Sequence, residues 1–578
     1  MRMDKRVSVS RFFNKCSLVE YLLAVLFLIA PFYYRLQLGG GLEKANNITV
    51  WIVVLIITFF TFFLVLNRKE ITIPKHFILI SGFPVFVLLS GFIAGTDQPI
   101  KWMFKLLFIW GGLVFFLSLF QYNLKQGRKD NILFIIVISA LLHSVVAVMQ
   151  IWLKNDMPIW LPPALDGQPR GLFNQINNHA VYQATAVMIT LYLITRPAFL
   201  HGGKKNKLLL LLTVALASFI ITMSGSRIGI LTLTLGLLMN TLALWTRFRL
   251  DKKMFLAVMS AIAIAGSIGF SMSQGKLIEK TLAINSGYSG AARIGIYKIS
   301  VDLIAKKPFR GHGIGSFTRV WQNEKENFYT VHPGAKLPSG CVNHPHNEIL
   351  LWLVEGGIVA GVGFILMLVA IVVGLKQAGW RRGTAYAAML LPIMLHTQVE
   401  LPFTLSAIMW FLFLTMLALF TPSFYRNKIN IVLTQSATIL SKIVVCFLAI
   451  LCTIFLLHTL KAQSYLADSV FYGHAEKVKV DYALNNPYLR STAVWIEMND
   501  VMIRGIKLGK YEMVEAYIKW GEEYLVNEPH ITMFHKLAEA YSFLGKQQKL
   551  CVLLNRGLSI YPEDIVLNKW EQGCKDNH

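Results

Sequence analysis

Stretches of about twenty apolar residues recur along this chain. Coiled as helices, runs of that length match the roughly 30 Å hydrocarbon core of a bilayer. The first, LVEYLLAVLFLIAPFYY, follows the basic tail MRMDKRVSVSRFFNK. It reads as an uncleaved signal anchor, because no small-residue cleavage site closes it and further runs follow. Only 15% of the 578 residues are charged and 55% are apolar. A soluble chain of this length carries more charge. The expectation is an all-α, polytopic membrane protein of 12–13 spans, placed near 18–34, 48–66, 76–94, 102–120, 131–152, 179–195, 207–223, 227–246, 254–271, 347–375, 384–398, 403–420 and 440–460.

Charge orients those spans. NRKEITIPK, QYNLKQGRK, RPAFLHGGKKNK, RFRLDKK, KQAGWRRG and FYRNK alternate with charge-poor links such as AGTDQP, MSG and TQVELP. The basic set is expected on the cytoplasmic side. The N-terminus then lies inside, and thirteen spans leave the C-terminus outside. A membrane domain over 1–460 and a helical domain over 461–578 follow, with a large outer loop at 272–346. That loop holds ten Lys/Arg against four Asp/Glu, against the usual trend for an outer segment, and suggests an anionic ligand. The tail is nearly balanced, so the chain's net charge of +25 resides in the membrane half. Pro529 and Pro562 close two helical segments 33 residues apart, a period that resembles tetratricopeptide repeats. Such a module either binds a partner or caps the membrane domain.

The six cysteines form neither a CxxC nor a Cys/His cluster, so no zinc site is expected. Cys551 and Cys574 could pair in an oxidising compartment. GHGIGS matches a nucleotide-binding fingerprint poorly, since no strand precedes it. No nucleic-acid partner and no cofactor are expected.

The suggestive polar residues all map to the outer face. Arg170 stands in LPPALDGQPRGLFNQINNHAVYQA, ahead of Asn174, Gln175, Asn177 and His179. So many amides entering a span call for a cavity or a bundle interior; the plainer reading is a capped helix start. Arg227, in TMSGSRIGI, opens another span; it either snorkels to headgroups or clamps phosphate through its planar fork. Arg293 opens an expected amphipathic helix whose Ile294, Ile296, Tyr297, Val301 and Ile304 share one face and would rest on the membrane. In CVNHPHNEILLWLVEGG, His344 and His346 are two apart, which is not the i,i+4 spacing of a helical metal pair. Either His346 and Asn347 simply cap the next span, or His346 accepts a proton from a hydroxyl nucleophile. HTQVELPF sets His396 and Glu400 one turn apart. Arginines plus a histidine suit a substrate with a pyrophosphate leaving group.

SGSR, AARIGIYKISVDLIAKKPFRGHGIGSF and HPHNEILLWLVEGGIVAGVG resemble the signature of the O-antigen ligase/polymerase superfamily over roughly residues 130–420. PRGLFNQINNHAVYQA and the helical tail look more like its PglL-type protein O-oligosaccharyltransferase branch. The resemblance implies a metal-independent glycosyltransferase of a Gram-negative inner membrane. It would move a glycan from undecaprenyl diphosphate, on the periplasmic side, to a hydroxyl of a pilin-like or other exported protein. By motif, Arg227 and Arg293 would contact the diphosphate and His346 would activate the acceptor. Arg170 and Glu400 match less closely, and His344, Asn347, Asn174, Gln175 and Asn177 would support the site. An O-antigen ligase acting on lipid A core, or a polymerase, would share these residues. A lipid or solute transporter would instead show charges deep within spans and inverted repeats. A membrane scaffold presenting the tail would leave the outer arginines and histidine without a role.

Overall fold

A computed structural model describes residues 17–575 apart from 97, 123, 165, 277, 280–289, 423–425 and 474–475. The basic N-terminal tail, Cys16 and the residues just ahead of Gly290 lie outside the described set. Each expected span coincides with a helix: α1 (Leu18–Leu28), α2 (Ala45–Arg68), α3 (Phe77–Ala94), α4 (Pro99–Phe120), α5 (Gln126–Leu153), α6 (Ile176–Leu193), α7 (Lys204–Met223), α8 (Arg227–Phe248) and α9 (Lys252–Met272) precede the outer loop. The loop folds as α10 (Gly290–Lys306) and α11 (Phe317–Val331). Then come α12 (Glu348–Gln377), α13 (Trp380–His396), α14 (Ala407–Phe420) and α15 (Gln435–Tyr472). The tail continues as α16 (Lys477–Leu484), α17 (Arg490–Leu508), α18 (Tyr511–Asn527), α19 (Ile531–Phe543), α20 (Gln547–Ile560) and α21 (Ile565–Lys575). Among the described residues, eight helical runs are long and apolar enough to cross a membrane, with Arg227–Met272 taken as one run. The chain is an all-α multi-pass membrane protein.

Two compact units can be distinguished: Met1–Ser81, Ile109–Lys280 and Leu366–Ser464 form the first, and Gly82–Phe108, Thr281–Ile365 and Tyr465–His578 the second. In the first, α6 is the central helix, buried from Asn178 to Leu193 and packed by α5, α7, α8 and α13. Several of its polar groups bond within the bundle rather than to solvent. Gln183 Nε2 donates to Ala140 O at 3.0 Å, and Ser139 and Tyr182 share a hydrogen bond of 2.9 Å. Two basic connections pair as strands. β1 (Glu70–Pro74) runs antiparallel to β2 (Arg426–Asn430), with Thr72 opposite Lys428 and Lys428 Nζ 2.7 Å from Glu70. The two segments therefore lie at one end of the bundle, as the charge pattern requires.

In the second unit, α17 to α21 stack as successive antiparallel neighbours around Tyr517, Phe534, Leu537, Leu554 and Leu567. Gly521 and Gly557 let the helices close: a Cβ at Gly521 would stand 2.8 Å from Leu537. Cys551 and Cys574 form a disulfide. The loop helix α11 packs on α18 and α20. At that contact the fully buried Lys325 donates to Pro338 O at 2.8 Å and lies 4.5 Å over the Tyr561 ring. Of the stripe expected to face the membrane on α10, Ile294 and Val301 are exposed, whereas Ile296 turns inward and is buried beside Ile299 and Leu303, and Trp321 Nε1 donates to Ile296 O at 3.3 Å. Periodicity alone could not say which apolar face α11 would cover.

Candidate functional site

In the first unit, several helix ends are tied together by side chains. Residues 154–175 form the approach to α6, where Gly171 and Asn174 take left-handed backbone angles, φ 55° and 56°. Gln150, fully buried on α5, holds Gly171 from both sides, accepting from its N–H at 2.8 Å and donating to its carbonyl at 3.0 Å. His179 bonds Pro169 O at 2.8 Å and Gln183 Nε2 at 2.8 Å. Asn46 donates to Leu172 O at 3.2 Å. The turn bearing Arg170 is thus fixed from within the bundle. Arg170 itself forms an ion pair with Asp166.

Beyond that turn the predicted amides meet other helix ends. Gln175 Nε2 donates to Glu400 Oε2 at 2.7 Å, and Glu400 is buried. Asn177 accepts from Ser226 Oγ at 2.8 Å, and Asn178 Oδ1 lies 2.7 Å from His396 Nε2. Asn174 is exposed. Ser226 caps α8, accepting from Gly229 N–H at 3.2 Å, so Arg227 is the first residue of that helix. A Cβ at Gly229 would meet Ala180 at 2.7 Å, so glycine is what lets α8 approach α6 here. In this unit the structure brings together Gln175, Asn177, Glu400 and the cap that carries Arg227.

In the second unit, Arg293 is half-buried in the first turn of α10. His346 takes a left-handed backbone, φ 51°. His344 Nδ1 accepts its N–H at 3.2 Å, and the two rings meet edge to face with centroids 4.3 Å apart. Tyr297 Oη donates to the His346 carbonyl at 3.4 Å, so α10 carries both Arg293 and a bond to the histidine's backbone. Asn347 caps α12 as expected, accepting from Leu350 N–H at 3.0 Å.

Sequence reasoning passed over one charged pair. Glu355, 2% exposed, lies 2.8 Å from Lys105 Nζ on α4 and also accepts from Phe317 N–H. An acid inside an apolar run was the available signal. Two residues later Gly357 breaks α12, at φ 60° and ψ −158°. The glycine-rich turn after α10 fills that break: His312 and Gly313 N–H donate to Val354 and Glu355 O at 2.9 Å, and Ile358 N–H donates to Pro308 O at 2.8 Å. A Cβ on Gly357 would stand 2.3 Å from Phe309 O, and one on Gly311 2.4 Å from Glu355 O. GHGIGS is therefore a packing motif that seats the turn after α10 in the break of α12.

Elsewhere in this unit, burial lowers the Lys325 ammonium to about 8 and pushes the Cys341 thiol up to about 11. Burial also lowers the His312 imidazole.

Arg227 and Arg293 each sit in the opening turn of a helix. Backbone N–H groups and the helix dipole already make such a turn positive, and a guanidinium adds to that field. Each such turn is suited to an anion, and Arg can present two parallel donors to phosphate oxygens.

No curated protein matches the chain closely enough to show a relative. Residues 212–365 match the family model Wzy_C, O-antigen ligase. Residues 384–572 match Wzy_C_2, virulence factor membrane-bound polymerase, C-terminal. The two matches take in Arg227, Arg293, His344, His346, Asn347, Glu400 and most of the tail. The chain belongs to the O-antigen ligase/polymerase superfamily of membrane glycan-transfer proteins.

Proposed function

We propose that this protein transfers a preassembled glycan en bloc from undecaprenyl diphosphate to a serine or threonine hydroxyl of an exported, pilin-like protein, without a metal. The reaction is placed at the periplasmic face of a Gram-negative inner membrane. The acceptor oxygen attacks the anomeric carbon as the bond from that carbon to the phosphate oxygen breaks. Undecaprenyl diphosphate leaves with the bonding electrons. The hydroxyl proton passes to the His346 imidazole. Arg227 and Arg293 serve the diphosphate, whose negative charge grows at the leaving oxygen; donors fixed in advance are often the largest catalytic contribution. Arg170 reaches the donor only by exchanging its partner Asp166.

The observation that carries this reading is the placement of both arginines in the opening turns of helices, where an anion and not a cation is favoured. The stacked helices of α17–α21 support a protein acceptor, since such layers offer extended surfaces to partners.

Expression beside a lipid-linked glycan in a host lacking its own ligase tests both parts. Mass spectrometry should find the sugar on protein; sugar confined to lipopolysaccharide would move the assignment to an O-antigen ligase. Arg293→Lys should lower transfer about tenfold or more although charge is kept, since Lys lacks the planar fork. Full activity would reduce Arg293 to a bulk charge.

A further inference from the structure

The turn that fills the break in α12 also presents a strongly exposed aromatic side chain. Phe309 is 75% exposed and stands between Lys306, Lys307 and Arg310, all exposed. Its height relative to the spans is fixed twice. Pro308 O accepts from Ile358 N–H at 2.8 Å, and Ile358 begins the uninterrupted apolar run IVAGVGFILMLVAIVVG, 358–374. Those 17 residues cover about 25 Å as a helix, most of a hydrocarbon core. Independently, Ile314 N–H donates to Gly95 O at 3.2 Å and Thr96 Oγ1 donates to Ile314 O at 2.9 Å, just past the end of α3 at Ala94. Phe92 and Ile93, in the last turn of α3, are also exposed. Residues 308–314 thus bond to the end of α3 and to the break in α12, two helices long and apolar enough to cross a membrane. The outward side of α10 continues the same chemistry with Ile294, Lys298 and Val301 exposed. Asp302 interrupts it, and Glu324 pairs with Lys306 at 2.6 Å.

We propose that Lys306–Arg310 is a docking surface for an anionic phospholipid bilayer. Phe309 enters the boundary between headgroups and acyl chains, where aromatic rings collect. Lys307 and Arg310 meet lipid phosphates, and Lys306 does so in exchange with Glu324. Basic residues beside a buried ring are the usual composition of interfacial anchors. The consequence is mechanical: α10, with Arg293 in its first turn, is held at a fixed height against the bilayer. The inference stands on the fold and not on the transfer reaction.

Spin labelling tests it without any measurement of activity. Phe309→Cys and, as an aqueous reference, Tyr511→Cys are labelled in the full chain with Cys16, Cys341, Cys446 and Cys452 changed to serine. Each is placed in nanodiscs of phosphatidylcholine with or without phosphatidylglycerol, free of any polyprenyl diphosphate. The label at 309 should be relaxed by oxygen and shielded from a water-soluble nickel chelate, with the reverse at 511. Equal exposure of both labels to the chelate overturns the proposal. In unlabelled protein, Lys306, Lys307 and Arg310 changed together to glutamine should weaken retention of phosphatidylglycerol over phosphatidylcholine about tenfold or more, read by native mass spectrometry. An unchanged preference removes the anionic part of the surface.

Discussion

Gln175 donates its side-chain amide to the buried Glu400 carboxylate at 2.7 Å, tying the start of α6 to the segment after α13. Losing one partner leaves a desolvated group unmade, which costs about 1–3 kcal/mol. Glu400→Ala should therefore lower glycan transfer at least tenfold while membrane insertion persists. Gln175→Ala should cost less, and the double variant should fall short of the sum, because the two residues are in contact. Transfer assayed on all four proteins of the cycle decides this; strict additivity would separate the pair.

His346 and His344 differ in what their loss removes. His346→Ala takes away the proposed base and should lower transfer by about 100-fold or more. His344→Ala removes an acceptor for the His346 N–H and one edge of a ring contact, so the His346 backbone is less constrained. Its effect should be several-fold and partly recovered by His344→Asn, which keeps a local acceptor. Single-turnover transfer checks both; equal losses would mean the pair acts as one unit.

The helices were legible because apolar runs and basic or turn-forming links mark them one by one, from Leu18 to the run that becomes α15. What stayed hidden depends on partners far away in the chain. His179 and the amides ahead of it called for a cavity or a bundle interior, but which four helices would surround α6 could not be read from the sequence. Lys105 and Glu355 are 250 residues apart, so neither charge announces the other. Among the candidate residues, Arg227, Arg293 and Asn347 could be picked out at helix starts. Gln150 and Tyr297 could not, because each acts on a backbone group of a distant segment.

The Lys105–Glu355 pair leads to a stability prediction. Lys105→Met would leave a carboxylate that is 2% exposed without its counter-charge. Such a loss costs about 3 kcal/mol, at the low end of the range because the lysine is partly exposed. Lys105→Met combined with Glu355→Leu should recover most of it, since an apolar pair carries no desolvation cost. Melting temperatures in detergent measure this, and a double variant no better than the single would show that the Glu355 bond to Phe317 N–H is the larger contribution.

Lys325 gives the outer loop and tail a pH dependence whose sign can be worked out. In the folded chain burial lowers its ammonium to about 8, against 10.5 when unfolded. Below pH 8 both states hold the proton and stability is flat. As pH rises above 8 the folded lysine releases its proton while the unfolded chain keeps it, so stability rises with pH. Cys341 acts in the opposite sense, but only later. Burial pushes its thiol up to about 11 from 9.0, so the unfolded chain loses that proton first and stability falls above pH 9. Between pH 8 and 9 Lys325 should therefore contribute a gain on the order of 1 kcal/mol. Lys325→Met should reduce the rise by about that amount, and Cys341→Ser should leave the rise intact while lessening the decline beyond. Thermal melts of the purified protein at pH 7.5, 8.5 and 9.5 provide the comparison; a slope unchanged in Lys325→Met would assign the titration to another group.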